Sequence, residues 1–279
     1  MYQRMISKAQ EIFENDIVVD SYTDNKGLIA NIRSYAVFDY LKAKLQGDKD
    51  DDGYAISADV LSATQFGAPQ KRMRFVIMGI RKDIADVVKL PEGKYKDGPY
   101  RTVEDAIKDL EDVEPVYNVS DDKSGIKLQA KTGLSELALT LRDSEILHNH
   151  IITKTTPTAM ARFKALDQGQ NFHSLSEEMK TNTYTDVTRT QNTIYLRLKY
   201  DEPSGTVVNV RKSMWVHPTK DRAVSIREAA RLQTFPDSFV FCGTKDKQYQ
   251  QVGNAVPPIM AKAIAKKLAS QLNKALSQK

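Results

Sequence analysis

Apolar residues recur at intervals of three and four along several stretches of the chain, and in short or alternating runs along others. The first pattern is typical of amphipathic helices and the second of strands. Helices are predicted near residues 5–13, 34–46, 102–110, 223–233 and 257–276. Strands are predicted at residues 17–19, 54–60, 74–80, 193–198 and 206–208. The order helix, strand, helix, strand and strand up to residue 80 favours an α/β sheet in which the run 74–80 is buried.

Regular patterning weakens between about residue 84 and residue 220. The helix at 102–110, with Thr102 as its N-cap, is the one clear element there. The rest of the stretch is polar and rich in Thr, Asn and Asp. We therefore predict a separate, irregular domain in this part of the chain.

The composition suits a soluble protein with a substantial core. The chain has 279 residues, of which 41% are hydrophobic. No apolar run approaches the roughly 18–20 residues of a membrane span, and the first residues lack the apolar core of a signal peptide. We expect no membrane association and a cytoplasmic location.

The charge changes the picture only a little. A net charge of +5 suits a polyanionic partner such as nucleic acid, although many cytoplasmic proteins are as basic. Acidic residues cluster at 48–52 and 104–122, which leaves 211–232 and 262–279 more basic than the total suggests. The single cysteine, Cys242, excludes an internal disulfide and a multi-cysteine metal site, and we predict no metal site.

Three stretches carry candidate chemistry, and the first is TQFGAPQKRMRFVIMGIRKD at residues 64–83. Arg72 and Arg74 are two residues apart, so on a strand they share a face, and behind a tight turn their planar groups can aim at one site. Such a fork suits a phosphate or the polar edge of a base. The alternative is an ordinary solvated strand end whose arginines pair with carboxylates.

The second and third stretches are QQVGNAVPPIMAKAIAKKL at 250–268 and RAVSIREAARLQTFPDSFVF at 222–241. In the former, Gly253 allows a tight backbone before a helix that starts at two prolines, which predicts either a ligand-holding loop or simply a well-made helix start. In the latter, Arg227 and Arg231 lie four apart on one helix face, which is typical of a phosphate contact or of a solvated surface.

These stretches resemble motifs of bacterial DNA (cytosine-5) methyltransferases, both in their residues and in their order along the chain. The matching segments are residues 67–74, 100–107, 195–198, 203–207, 222–236 and 251–258. The resemblance covers roughly residues 54–268, and its last two motifs are specific. It implies an enzyme that flips a cytosine out of the duplex, attacks the ring with a cysteine thiolate and transfers a methyl group from S-adenosylmethionine.

The resemblance also implies roles for individual residues. Arg72 and Arg74 are expected against the flipped base and the loop of the nucleophile, where a cation stabilises negative charge developing on the ring, while Gln70 fixes the turn. The resemblance also implies that Asn254, Ala255 and Val256 contact the cofactor and that Thr206 contacts a target phosphate. From their shared helix face, Arg227 and Arg231 are also expected to bind DNA.

Three features of such enzymes are not matched: a cysteine after a proline, a glycine-rich cofactor loop and a Glu-Asn-Val segment that holds the cytosine. Cys242 follows Phe241, between the last two motifs, and is expected to be a small core or surface residue. Residues 14–16 and 24–25 are the nearest matches to the Glu-Asn-Val segment, and neither fits. We therefore expect the chain to begin around or just after that point and to be the C-terminal half of a methyltransferase.

The expected fold is α/β, a partial Rossmann-like methyltransferase domain with an inserted, small, mostly β and irregular target-recognition domain. The expected divisions are 1–100 and 221–279 for the catalytic domain and 101–220 for target recognition, which reads bases in the major groove. Open strand edges and apolar surface, covered by the other half in a complete enzyme, favour self-association or a partner.

Three functional hypotheses follow. The chain is one subunit or part of a split methyltransferase that acts on double-stranded DNA with a second chain carrying the cysteine and the cofactor loop. Alternatively, it is a DNA-binding module without catalysis, or an inactive remnant of a truncated gene.

Overall fold

The structure, a computed structural model, describes residues 19–24, 28–32, 37–47, 53–180 and 190–278. It divides into two compact units. The first comprises Met1–Ser57, Ile77–Lys89 and Gln271–Lys279, and the second comprises Ala58–Val76 and Leu90–Ser270. All the predicted site residues belong to the second unit.

The described strands form three two-stranded sheets, in which β1 pairs with β2, β3 with β4, and β5 with β6. The first and last pairs are antiparallel. The strands are β1 (Val19–Asp24), β2 (Leu28–Ile32), β3 (Tyr54–Ser62), β4 (Met73–Arg81), β5 (Ile126–Lys127) and β6 (Ile146–Leu147).

Helices account for most of the regular structure. They are α1 (Val37–Gln46), α2 (Val103–Ile107), α3 (Glu136–Leu141), α4 (Pro157–Lys164), α5 (Glu177–Lys180), α6 (Val210–Ser213), α7 (Ile226–Leu232), α8 (Lys245–Asn254) and α9 (Pro258–Leu276). Within the described residues, no helix is long and apolar enough to cross a membrane.

Two helix starts are fixed by reciprocal capping. The Thr102 hydroxyl accepts from the Asp105 N–H at 3.4 Å, and the Asp105 carboxylate accepts from the Thr102 N–H at 2.8 Å. Ser225 and Glu228 make the same exchange at 3.0 and 2.8 Å. Each exchange satisfies two backbone donors that a helix start otherwise leaves unpaired, so these N-caps confirm the two starts predicted from the sequence.

The largest apolar core joins the helices on both sides of residue 220. Residues of α2, α7 and α8 pack together around the fully buried Trp215. A second cluster surrounds Phe163 and Phe172, and a third packs the turn after β3 against Met260 of α9. The large core therefore fixes the irregular segment against the returning helices, and the predicted divisions at 100 and 220 stay a prediction.

The α/β fold and most predicted elements within the described residues are confirmed, with several differences. The helix predicted at 5–13 and the first residues of the strand at 17–19 lie outside the described ranges. The runs 193–198 and 206–208 are not strands, because their N–H groups bond to separate segments; Tyr195 N–H, for example, donates to Ser213 and Arg197 N–H to Gln170.

Strand β4 is half-buried rather than buried. Met78 and Ile80 are inside, but Met73 and Phe75 are 54% and 50% exposed. This alternation is typical of a sheet with one covered face.

Candidate active site

A tight turn before β4 carries the first of the predicted site residues. Residues Ala63–Phe66 form a 3₁₀ turn that ends at Gly67, whose φ of 92° lies in the left-handed region. A residue with a side chain is strained there. The turn directs the Gln70 side chain into the interior, where it has no exposed surface.

The Gln70 amide joins three segments of the chain. Its Nε2 donates to the Leu232 carbonyl at 3.0 Å and to Gln233 Oε1 at 2.8 Å. Its Oε1 accepts from the Val207 N–H at 3.1 Å, and the backbones of Gln70 and Ser204 form a parallel bridge. Gln70 therefore ties its turn to the end of α7 and to the segment that leads into α6.

Arg72 makes a second connection between the same segments. Its guanidinium donates to the carbonyls of Val207 at 2.7 Å, Gly253 at 2.9 Å and Ala255 at 2.8 Å. The residue is only 1% exposed. We call this guanidinium and its three carbonyl partners the Arg72 cradle.

The Arg72 cradle surrounds a positive charge with neutral carbonyl groups. Within the described residues, no carboxylate lies at ion-pair distance from Arg72. Burial, and to a smaller extent the positive charge of Arg74, lower the pKa of Arg72 to about 10. The guanidinium still carries its proton at neutral pH, so a fixed positive charge remains beside Arg74 in a region of reduced dielectric.

Arg74 is placed differently from Arg72. It is half-buried, and its Nη1 donates to the neighbouring Met73 carbonyl at 2.8 Å. The two arginines do not form the fork that their spacing predicts, because Arg72 turns inward onto backbone carbonyls. The alternative of carboxylate pairing does not fit either within the described residues, and Arg74 is the member of the pair with solvent access.

The segment 251–258 is a helix end followed by a short link, rather than a free loop. Gly253 lies in the last turn of α8, where an added Cβ would stand 2.7 Å from the carbonyl carbon of Val208. Glycine is therefore required by close backbone packing. The link that follows leaves Asn254 and Val256 exposed and Ala255 half-buried, directly outside the Arg72 cradle.

Thr206, predicted to contact DNA phosphate, lies beside the Gln70 turn. Its hydroxyl donates to the Lys71 carbonyl at 2.8 Å, and the residue is half-buried. Thr206 therefore braces the turn and keeps part of its own surface exposed.

Arg227 does not lie where its predicted DNA contact requires. It is fully buried, and its guanidinium donates to three carbonyls, those of His148, Pro236 and Phe239, and to Asn149 Oδ1. Burial lowers its pKa to about 10, against the opposing effect of Asp237. A side chain saturated by protein acceptors cannot reach a phosphate, so the assignment of Arg227 to DNA binding is corrected.

Arg231 is corrected for the same reason. It has no exposed surface and pairs with two buried carboxylates, those of Asp237 and Asp109, each at 2.5 Å. Its Nη1 also donates to the Ala106 carbonyl at 3.1 Å. Arg231 therefore ties α7 to α2 and to the turn after α7. Helical spacing alone did not reveal this, because the acidic partners are distant in sequence or follow the helix.

A second buried charge pair stabilises the start of α7. Arg222 binds the Glu228 carboxylate through both terminal nitrogens, at 2.9 and 2.7 Å. Burial alone would raise the pKa of Glu228, but the charge of Arg222 outweighs it and holds the pKa well below its usual range. His217 Nε2 lies 3.6 Å from the same carboxylate, yet burial lowers the pKa of His217 to about 4.

Sequence reasoning missed Gln233, which links the motifs as closely as Gln70 does. Its Oε1 accepts from Gln70 at 2.8 Å, and its Nε2 donates to the Val252 carbonyl at 2.7 Å. The one available signal was a polar residue between the apolar Leu232 and Phe235 at the end of a helix. Helix α8 was also missed, because its sequence KDKQYQQVGN is strongly polar.

Cys242 lies on the exposed link between α7 and α8. Its Sγ is 4.0 Å from the Val240 carbonyl, which is the weak contact of an ordinary surface thiol. Its backbone carbonyl accepts from Gln251 Nε2 at 3.0 Å.

The chain is similar to known DNA methyltransferases. The model of the C-5 cytosine-specific DNA methylase family matches residues 31–270. The type II methyltransferase M.DdeI of Desulfomicrobium norvegicum is 28% identical over 82% of this chain and 58% of its own length. M1.HphI of Haemophilus parahaemolyticus, also a type II methyltransferase, is 32% identical over 76% of this chain and 47% of its own length.

Two further matches differ in coverage. The type II methyltransferase M.AquIB of Picosynechococcus sp. is 35% identical over 48% of this chain and 95% of its own length. The crystal structure of a prophage-encoded E. coli protein described as a DNA modification methyltransferase has a TM-score of 0.61 and 26% identity, over 79% of this chain and 61% of that one.

The chain spans about half the length of the first two curated relatives. Because the family model covers most of the sequence, including both segments that meet at the Arg72 cradle, the chain belongs to the C-5 cytosine-specific DNA methylase family.

Proposed function

We propose that this chain supplies the base-orienting side of a DNA (cytosine-5) methyltransferase active site. In this account it binds duplex DNA, positions a flipped cytosine and completes the S-adenosylmethionine site, while the attacking cysteine comes from residues outside this sequence. The observation that carries the proposal is the Arg72 cradle, which joins Arg72, the segment at Val207 and the link at Ala255.

Arg74 is the residue proposed to act on the base. Addition of a thiolate to cytosine places negative charge on the ring, and a preorganised cation stabilises that charge most in a site of low dielectric. Arg72 is occupied by backbone carbonyls, so it sets the position of the strand start and adds a fixed positive charge behind Arg74. Gln70 is a positioning residue that holds the turn against α7.

The side chains next to the Arg72 cradle are suited to contact one edge of the cofactor. The Gly253 and Ala255 carbonyls point to Arg72 and are used there. The side chains of Asn254 and Val256 are left at the surface, where an amide and an apolar group can contact the polar and apolar parts of S-adenosylmethionine. The bound cofactor supplies the electrophilic methyl group, and in this account residues 254–256 orient its edge.

We propose a second source for the nucleophile because of the position of Cys242. It is the single cysteine of the sequence, and it lies on an exposed link after the α7 turn, whereas Gln70 and Arg72 are buried. M.AquIB supports this view. It is named a type II methyltransferase, yet 95% of its length is matched by only 48% of this chain. We further propose that residues 101–220 form the target-recognition region, in which irregular loops supply the base contacts.

A reconstitution experiment tests this function. The chain is mixed with a polypeptide from a related enzyme that carries the Pro-Cys nucleophile and the glycine-rich loop, together with labelled S-adenosylmethionine and unmethylated genomic DNA. We expect methylated cytosine only in the mixture, and no product when the added cysteine is replaced by alanine. DNA binding without methyl transfer by any such mixture would instead identify a non-catalytic DNA-binding module.

A further inference from the structure

A basic cavity beside α6 and the start of α8 has no role in the site described above. Its volume is about 360 Å³. Its floor is apolar, and the buried Tyr249 and Phe163 contribute to it. The charged side chains on its rim are Lys154, Arg211, Lys212 and Asp246.

Helix α6 presents its two cations on a rigid base. The Asn209 side chain caps the helix by accepting from the Lys212 N–H. Val210 and Ser213 are buried, while Arg211 and Lys212 between them are exposed. The fully buried Trp215 lies two residues after the end of the helix, so the two positive charges project from a segment anchored in the main core.

The rim has an excess of positive charge. Asp246 is paired with Arg211 at 2.7 Å. Among the described residues, no carboxylate lies within ion-pair distance of Lys154 or Lys212. Such exposed, uncompensated cations around a concavity attract a polyanion and are screened by salt.

Helix α8 connects this rim to the Arg72 cradle. Asp246 lies in the first turn of α8 and Gly253 in its last, so seven helical residues, each rising 1.5 Å, separate them by roughly 10 Å. A duplex rises about 3.4 Å per base pair. The two ends of α8, one at the rim and one at the Arg72 cradle, are therefore about three base-pair steps apart, a separation that a short duplex can span.

We infer that the rim of this cavity binds the phosphate backbone of the DNA strand beside the target base, with Lys154 and Lys212 as the direct contacts. This inference rests on the proposed function and deepens it. It places phosphate binding on exposed cations rather than on the buried arginines of α7. Such contacts set affinity and register but carry no base sequence.

The salt dependence of duplex binding tests the inference. The full chain and the variant Lys154→Gln/Lys212→Gln are titrated with a labelled duplex at several salt concentrations. Each lost phosphate contact lowers the slope of log affinity against log salt by about 0.9, so we expect the slope of the double variant to fall by about 1.8, equally for different DNA sequences. Lys212→Arg retains the charge and keeps the slope of the unsubstituted chain.

Lys266→Gln is the matched control. Lys266 is an exposed lysine of α9, a helix that packs against a different apolar cluster, and its removal is expected to leave the slope unchanged. An unchanged slope for the double variant, with normal melting and intact methyl transfer in the reconstituted enzyme, overturns the inference and leaves the proposed function standing. Failure of the unsubstituted chain to bind duplex at all contradicts the inference directly.

Discussion

At the scale of single residues, the two arginines of the β4 start have separate structural roles. Arg72 is buried and donates to three backbone carbonyls, whereas Arg74 keeps contact with solvent. An arginine whose donors are taken up by backbone carbonyls is expected to act on stability, and one that keeps solvent access is free to act on turnover. Substitution of each residue separates these effects.

For Arg74, replacement by alanine in the reconstituted enzyme is expected to lower turnover by roughly 10²-fold. Duplex affinity should change by less than about threefold, because Arg74 is proposed to act on charge that develops on the base during the reaction and not on a phosphate of the bound duplex. Arg74→Lys keeps the charge and should recover part of the turnover. Steady-state rates and duplex titrations measure the two effects, and equal losses in both would mean that Arg74 is an ordinary phosphate anchor.

For Arg72, replacement by lysine is expected to lower the free energy of unfolding by about 3 kcal/mol, since a compact ammonium group cannot reach three carbonyls on two segments and leaves buried acceptors unpaired. Chemical denaturation of the isolated chain measures the loss. An Arg72→Lys variant as stable as the unsubstituted chain would contradict the role given to the Arg72 cradle.

Gly253 provides a test that involves no charge. In Gly253→Ala the added methyl group would stand 2.7 Å from the backbone of Val208, so one segment must shift, at a cost of about 1–3 kcal/mol. Gly205 is the matched control, because a Cβ there has no neighbour within 4 Å and its replacement by alanine should change stability by less than about 0.5 kcal/mol. Similar melting of both variants would exclude the close packing described here.

At the scale of elements, α7 holds the site together through buried charge. Its residues Arg227, Glu228 and Arg231 are all fully buried and bonded to protein partners. Pairs of this kind contribute little net stability compared with apolar packing, but removal of one partner is costly. The helix therefore fixes the relative positions of α2, the Gln70 turn and the segment after α7.

The same cluster predicts a pH dependence of stability. Burial lowers the folded-state pKa of His217 to about 4, from an ordinary value of 6.5. The unfolded chain therefore takes up a proton at a higher pH than the folded chain, so the contribution of His217 is complete above pH 6.5 and is lost as the pH falls to about 4. This loss is worth about 3 kcal/mol.

The variant His217→Asn isolates this contribution. Asparagine can still accept the hydrogen bonds that His217 Nδ1 accepts from Thr219 and Lys220 N–H. We expect its unfolding free energy to fall less steeply than that of the unsubstituted chain between pH 6.5 and 4. Parallel pH profiles for the two proteins would show that His217 is not held neutral in the folded state.

The sequence patterns predicted helices correctly where the capping residues and the apolar spacing lie within the helix itself. Capping residues and apolar spacing identified α2, α7 and α9 correctly. The patterns failed for α8, whose sequence is polar because only one narrow side is buried, and for residues 193–198, whose backbone bonds are distributed among several segments. They also could not show that Arg227 and Arg231 are buried, since their partners come from other elements.

At the scale of the whole molecule, the sequence motifs identified the residues that meet but not how they meet. Gln70, Arg72 and the 253–255 link come together as the motif order predicts, yet the contacts run through main-chain carbonyls, which leave no trace in side-chain patterns. Likewise, the cationic rim at Lys154 and Lys212 joins residues that are far apart in sequence. Such convergence depends on tertiary packing.

The location of the nucleophile is tested most directly with duplex DNA containing 5-fluorocytosine. Fluorine at C5 cannot leave as a proton does after methyl transfer, so the enzyme stays joined to the ring through its attacking sulfur. The chain is mixed with the cysteine-bearing polypeptide, S-adenosylmethionine and this DNA, and the denatured adduct is identified by mass. We expect DNA attached to the added polypeptide and none attached to this chain; an adduct at Cys242, or one formed by this chain alone, would contradict the account.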